Sequence, residues 1–220
     1  LFEENVSYYP TLLPETSDED PAEVFAAGGT PELAELRLHN GTIYRWNRPV
    51  YDVSDARPHL RVENRVLPAG PTVVDIMANA AFFYGAVVEM VNDERPLWTR
   101  MTFDAAHQNF LAAARHGAAA SLYWPRAGEV EWDELVLRLL LPMAQRGLER
   151  LGVARVAVDR YLGIIEERAR LRTNGAAWQV EAVQSLEERG RSRQQALRDM
   201  LRAYMEHMHD NEPVHTWPVP

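Results

Sequence analysis

The sequence predicts an α+β fold: a small antiparallel sheet at about residues 35–66, followed by an all-helical C-terminal region. Two observations predict it. Between residues 35 and 66, short runs rich in Val, Ile, Tyr and Trp are punctuated by turn residues, the pattern of strands. From residue 72 onward, apolar residues recur at three- and four-residue spacing, the pattern of amphipathic helices. The 220 residues divide into 1–34 (loop and a short helix), 35–71 (strands with the site residues) and 72–220 (helices).

The elements follow in order. Residues 1–9 read as the end of a helix. Residues 10–35 are rich in Pro, Gly and acids, including Leu13-Pro14, and read as loop with one helix at 21–27. Asp20 caps that helix and Pro21 fills its first position, where no N–H is needed. Residues 35–39 read as a strand leading into Asn40-Gly41, a strong hairpin signal. Strands at 42–47, 49–53 and 59–66 complete the sheet. The turn Pro68-Ala69-Gly70-Pro71-Thr72 then feeds a helix over 73–92. Further helices are expected at 103–116, 134–151 (kinked at Pro142), 154–171, 176–189 and 192–209, with an irregular tail at 211–220.

Composition narrows the chemistry. There is no cysteine, so disulfides and thiolate chemistry are excluded. All 23 basic residues are arginine, which excludes a Schiff-base or P-loop lysine. Anions must then be held by arginine, backbone N–H groups or metal, and arginine suits bidentate oxyanion contacts. The net charge of −9 argues against a nucleic-acid partner. Residues 73–91 approach the length of a membrane span, but Asp75, Asn79 and Glu89 interrupt them. A buried helix, no membrane partner and a cytoplasmic protein are the expectation. The chain also lacks G-x-S-x-G, P-loop, G-x-G-x-x-G and H-E-x-x-H motifs.

Six of the 23 arginines (Arg37, Arg45, Arg48, Arg57, Arg61 and Arg65) fall within residues 35–66. Strand alternation sends Leu60, Val62, Asn64 and Val66 to one face, and His59, Arg61, Glu63 and Arg65 to the other. One carboxylate flanked by two guanidinium groups suits a metal ion and a phosphate together. A solvated face of Arg–Glu pairs is the plainer reading. Upstream, Tyr44, Trp46 and Arg48 share one strand face, with Arg45 and Asn47 on the other. A guanidinium beside an indole grips a carboxylate or stacks on a base; an aromatic cross-strand pair is the alternative. Two lesser candidates are His207 and His209 with His215, and Arg172–Gln179. Histidines at i, i+2 on a helix point apart, so a cationic helix end fits the former better than a metal site. Core packing of Trp178 fits the latter.

Residues 40–48, Arg57-Pro58-His59, Glu63-Asn64-Arg65 and Pro71-Thr72 with the Ala-rich helix after them resemble the glutamate–cysteine ligase family, of the carboxylate–amine ligase type related to glutamine synthetase. The resemblance covers most of the chain but only the C-terminal half of a family enzyme. It implies part of a glutamine-synthetase-like catalytic fold completed by an upstream half. It implies ATP and Mg²⁺ (or Mn²⁺) as cofactors, with glutamate and an amine or cysteine as substrates. The product is a γ-glutamyl amide formed through an acyl phosphate. It assigns Glu63 to metal and Arg65, with Arg61, to catalysis at the phosphate. Arg45, Trp46, Arg48, Arg57 and His59 then bind substrate or nucleotide. These 220 residues alone are expected to be inactive, and a homo-oligomer is an expected assembly. The competing reading is a non-catalytic helical interaction or regulatory module, in which the arginines pair with acids of their own domain.

Overall fold

A computed structural model describes residues 2–10, 17–55, 57–67 and 69–220. The fold is α+β, with two small antiparallel sheets and a helical C-terminal region. The chain divides into two compact units, Leu1–Pro68 and Ala69–Pro220. The expected turn residues Leu13-Pro14 and Pro68 lie outside the described residues.

The first unit holds α1 (Phe2–Tyr8), α2 (Pro21–Ala26), α3 (Ala34–Thr42), β1 (Asn47–Ser54) and β2 (Arg57–Asn64). Asp20 caps α2, its carboxylate accepting from the N–H groups of Ala22 and Glu23. Residues 35–39 are not a strand, and Asn40-Gly41 is not a hairpin turn. Both lie in α3. Ala34, Glu35, Leu36, Arg37 and Leu38 are all strong helix formers, and their propensity prevails over the apparent two-residue alternation of Leu36 and Leu38. Glu19 secures the start of α3 by accepting from the N–H groups of Glu32 and Leu33. Asn40-Gly41 sits in the last helical turn instead. Residues 43–46 form no strand either, so among the described residues the sheet in this unit has two strands. Ser54 pairs with Arg57 at the turn end of the hairpin. Asp55 adopts φ 51°, the left-handed conformation a two-residue hairpin requires.

The second unit opens with α4 (Val73–Val91), capped by the Thr72 hydroxyl on the Asp75 N–H. By length and composition, α4 is long and apolar enough to cross a membrane. It packs one face on α7 (Leu141–Arg150) and α8 (Arg155–Arg170). Val74, Ala78, Ala86, Ala144, Leu148, Val158, Leu162, Ile164 and Ile165 form that core. Val73, Ile76, Met77, Tyr84, Val87 and Val91 on α4 are exposed. Burying a side chain of this kind stabilises by about 1.5–3 kcal/mol, so the core face accounts for why the helix lies where it does.

α5 (Phe103–His116) leads into a feature absent from the expected all-helical region. β3 (Ser121–Trp124) and β4 (Gly128–Glu131) form a second hairpin. α6 (Trp132–Leu135) then passes through a π-helical turn, Val136–Leu140, into α7. Pro142 explains the π turn. It lacks the N–H that would bond to the Arg138 carbonyl, and its ring crowds that carbonyl. The chain widens by one residue, so that Leu141 N–H donates to Val136 O. The kink expected at Pro142 therefore takes this form.

α9 (Gly175–Glu188) and α10 (Arg193–Asp210) pack with the tail. Trp178 is 2 % exposed and meets Trp217 edge-on at 5.1 Å. The Trp178 indole N–H donates to Pro218 O and the Trp217 indole N–H to Glu212 O, so neither ring is buried with an unpaired donor. Trp178 is thus a core residue. His207 stacks on Trp217, while His209 is exposed.

Candidate functional site

The register of the β1–β2 hairpin sorts its side chains. Arg48 faces Glu63, Val50 faces Arg61, and Asp52 faces His59, and directly opposed residues share a face. Asn47–Asn64, Pro49–Val62 and Tyr51–Leu60 make the other face. One side of the ribbon is therefore ionic and the other largely apolar. Leu60 is 71 % and Val62 58 % exposed, so the β2 half of the apolar side has little cover, while Pro49 on β1 is buried.

The ionic face holds two groups. In the first, Glu63 lies between two guanidinium groups, 2.5 Å from Arg48 Nη2 and 3.2 Å from Arg65 Nε. These hydrogen bonds, the one from Arg65 foremost, hold the Glu63 carboxyl below its ordinary range. Arg48 also donates to the carbonyls of Asn40 and Gly41, which ties the ribbon to the end of α3. The Arg65 backbone N–H donates to Trp46 O, extending the ladder past β2, and its guanidinium sits 4.9 Å over the Tyr44 ring. In the second group, nearer the turn, Asp52 pairs with Arg37 at 2.9 Å and Arg61 at 3.6 Å. The Val53 backbone N–H, then these arginines, hold the Asp52 carboxyl low. Arg61 Nη1 lies 2.5 Å from His59 Nε2.

The predicted residues divide accordingly. Arg48, His59, Arg61, Glu63 and Arg65 come together on one face. Arg45 leaves it: its Nη1 donates to Asn5 and its Nη2 to Glu4 on α1. Trp46 precedes β1, Arg65 lies over the Tyr44 ring and Arg45 over the Tyr9 ring. Arg57 opens β2 opposite Ser54. Sequence reasoning missed Asp52, Arg37 and the Asn40 and Gly41 carbonyls. The signal for Asp52 was present, because pairing Ser54 with Arg57 places it opposite His59.

At the Pro-Thr helix start, where a helix N-terminus favours anions, two N–H groups have internal acceptors. Val74 N–H donates to the Asn211 side chain and Asp75 N–H to Thr72. Among the described residues, no three His, Asp or Glu side chains form a metal-ligand group. Glu63 is a single carboxylate already shared by two arginines. Comparison with protein-family models, with curated proteins and with solved structures gave no match.

Proposed function

We propose that this chain carries one wall of the active site of an ATP-dependent carboxylate–amine ligase of the glutamate–cysteine ligase type. The observation that supports this reading is the Arg48–Glu63–Arg65 group on the ionic face of the hairpin. Activating a carboxylate with ATP is mostly positioning and charge neutralisation of the transferred phosphoryl group. Two guanidinium forks side by side supply such neutralisation. Their present ion pairs with Glu63 are partly exposed, and such pairs contribute about 0–1 kcal/mol. Exchange of Glu63 for an incoming phosphate or carboxylate therefore costs little. Arg65 is assigned to the phosphoryl oxygens and Arg48 to the second anion, with Arg61 and His59 beside them.

The described residues do not make a Mg²⁺ or Mn²⁺ site by themselves. Glu63 provides one oxygen donor, and the remaining acids of such a site are assigned to an upstream half. Two exposures support a ribbon that joins a larger sheet: among the described residues the outer edges of β1 and β2 are unpaired, and Leu60 and Val62 lie open. A lone two-stranded sheet is only marginally stable in water.

The test is phosphate release that depends on ATP, glutamate and an amine, cysteine first, by the intact protein with its upstream half. Glu63→Gln and Arg65→Ala are each expected to lower kcat/KM about 100-fold or more, in line with the loss of one preorganised charge contact, with unchanged melting. Full turnover by Glu63→Gln sinks the assignment. Turnover by these 220 residues alone sinks the need for an upstream half.

A second reading, a non-catalytic interaction or regulatory module, is favoured by one observation. Arg45, Arg48 and Arg65 each have an acidic partner within the first unit. It predicts no ATP binding by the intact protein and no effect of Glu63→Gln on partner binding.

A further inference from the structure

A cleft of about 650 Å³ lies in the second unit at the tip of the β3–β4 hairpin. Its size is that of a small-molecule site, and it uses none of the residues assigned to ligase chemistry. Trp124, Leu135 and Leu139 give it apolar wall, and Arg100, Arg126 and Arg138 line it as well.

Three features of these arginines require explanation. Arg126 has φ 72° in the turn between Trp124 and Gly128, a left-handed conformation that side chains other than Gly and Asn rarely adopt. Its guanidinium makes no hydrogen bond or ion pair among the described residues. Arg100 pairs with Asp93 through Nη2 at 2.5 Å, yet its Nε is buried with no partner. Arg138 stands on the π-helical turn and is paired only with the exposed Glu134. Against the three arginines the cleft sets two acids, Glu129 and Glu134. Asp93 answers Arg100 and Glu134 answers Arg138, which leaves Arg126, lining the cleft with Trp124, as its cation without an acid among the described residues.

We infer that this cleft binds a small organic anion with a flat apolar body. The body lies along Trp124, Leu135 and Leu139, and the oxyanion meets the free fork of Arg126. Backbone strain at a residue with an unpaired functional group is retained when that residue has a task that glycine cannot perform.

The probes are 1-naphthoate, 1-naphthyl phosphate and the neutral 1-naphthamide, titrated into the full chain by calorimetry. Indole N–H NMR signals are followed in parallel, with Trp124 assigned through Trp124→Phe. At least one anionic probe is expected to bind and move the Trp124 signal, and which one is tighter distinguishes a carboxylate from a phosphate ligand. The amide is expected to bind about tenfold more weakly or worse, the loss of one charge-assisted hydrogen bond. Arg126→Gly is expected to weaken the anion by a similar factor while melting at the same or a higher temperature, since glycine relaxes the left-handed φ. Arg126→Asn, which also tolerates that conformation, provides an independent check. Equal binding of anion and amide, no binding of any probe, shifts that spare Trp124, or full affinity in both Arg126 variants would overturn the inference.

Discussion

The backbones of Gly85 and Gly147 touch where α4 crosses α7. A Cβ built on Gly147 would lie 2.7 Å from the Gly85 carbonyl carbon, and one on Gly85 would lie 2.9 Å from the Ala144 carbonyl carbon. Backbone cannot rotate aside as a side chain does, so the helices would have to separate along the core that Ala86, Ala144 and Leu148 fill.

Gly85→Ala and Gly147→Ala are each expected to destabilise by about 2 kcal/mol or more. Alanine gains up to about 1 kcal/mol of helix propensity, but overpacking a tight contact costs about 1–3 kcal/mol and sometimes more. The steric effect wins. Gly163 on α8 is the control, because a Cβ there meets nothing within 4 Å. Gly163→Ala should stabilise by about 0.5–1 kcal/mol. Urea denaturation midpoints separate the two outcomes, and a common direction for all three variants would refute the close-contact account.

Asp75 is fully buried and ties three segments together. Its Oδ2 accepts from the Thr72 hydroxyl at 2.8 Å and from the Val214 backbone N–H at 3.1 Å, and its Oδ1 lies 3.8 Å from Arg168. Burial lowers the Arg168 pKa, and the Asp75 carboxylate opposes that shift. Asp75→Ala leaves a buried guanidinium without its counter-charge, which typically costs about 3–5 kcal/mol. Hydrogen exchange should also show residues 211–217 released before the rest of the unit opens. Protection of the Val214 amide equal to the wild type would argue that the tail is held by its other contacts, the Trp178–Trp217 packing and the bonds to Asn211 and Pro218, without Asp75.

Burial pushes the His215 imidazole below its ordinary value of 6.5, outweighing the upward pull of Asp75 and Glu167. Arg168 adds to the lowering. Its Nδ1 is buried without a partner. The unfolded chain therefore takes up this proton at a higher pH than the folded chain. The stability contribution is complete above about pH 6.5 and is lost as pH falls through the lowered value. His215→Asn should flatten the difference in unfolding free energy between pH 7 and pH 5 relative to the wild type. An unchanged slope would place the titrating group elsewhere.

How much of this was legible in the sequence depended on the range of the interaction involved. Asp20, Thr72 and Ser192 announce their helices because capping is local, and all three cap as expected. Asn40-Gly41 misled because the same dipeptide can close a helix or turn a hairpin, and the helix formers before it decide which. The β3–β4 hairpin went unseen because its strands have four residues each, too few for alternation to register. On β2 the alternation of charge was readable directly. The identity of the cross-strand partners was not, since Arg48 and Asp52 meet Glu63 and His59 only once Ser54 is paired with Arg57. The partners of Arg45 on α1 lie some 40 residues away in sequence, and nothing local marks them.

That cross-strand group yields the last prediction. Hydrogen bonds from Arg65 and then Arg48 hold the Glu63 carboxyl below its ordinary value of about 4.5. A depressed carboxyl stabilises the fold fully above the unfolded value, and the effect is lost as pH falls through the folded one. Between those two values the Arg48 end of the ribbon should loosen. Asp52 near the turn is also held low, mainly by the Val53 N–H. Because that bond is local to the strand, the turn end should loosen with its own acid dependence. Amide exchange of Arg61 to Arg65, followed from pH 6 to pH 3, is the measurement. In Glu63→Gln the acid-dependent loosening at residues 63–65 should vanish while that near Asp52 persists. If both ends of the ribbon respond together in that variant, the two ionic groups form one coupled network and Glu63 does not hold its arginines independently.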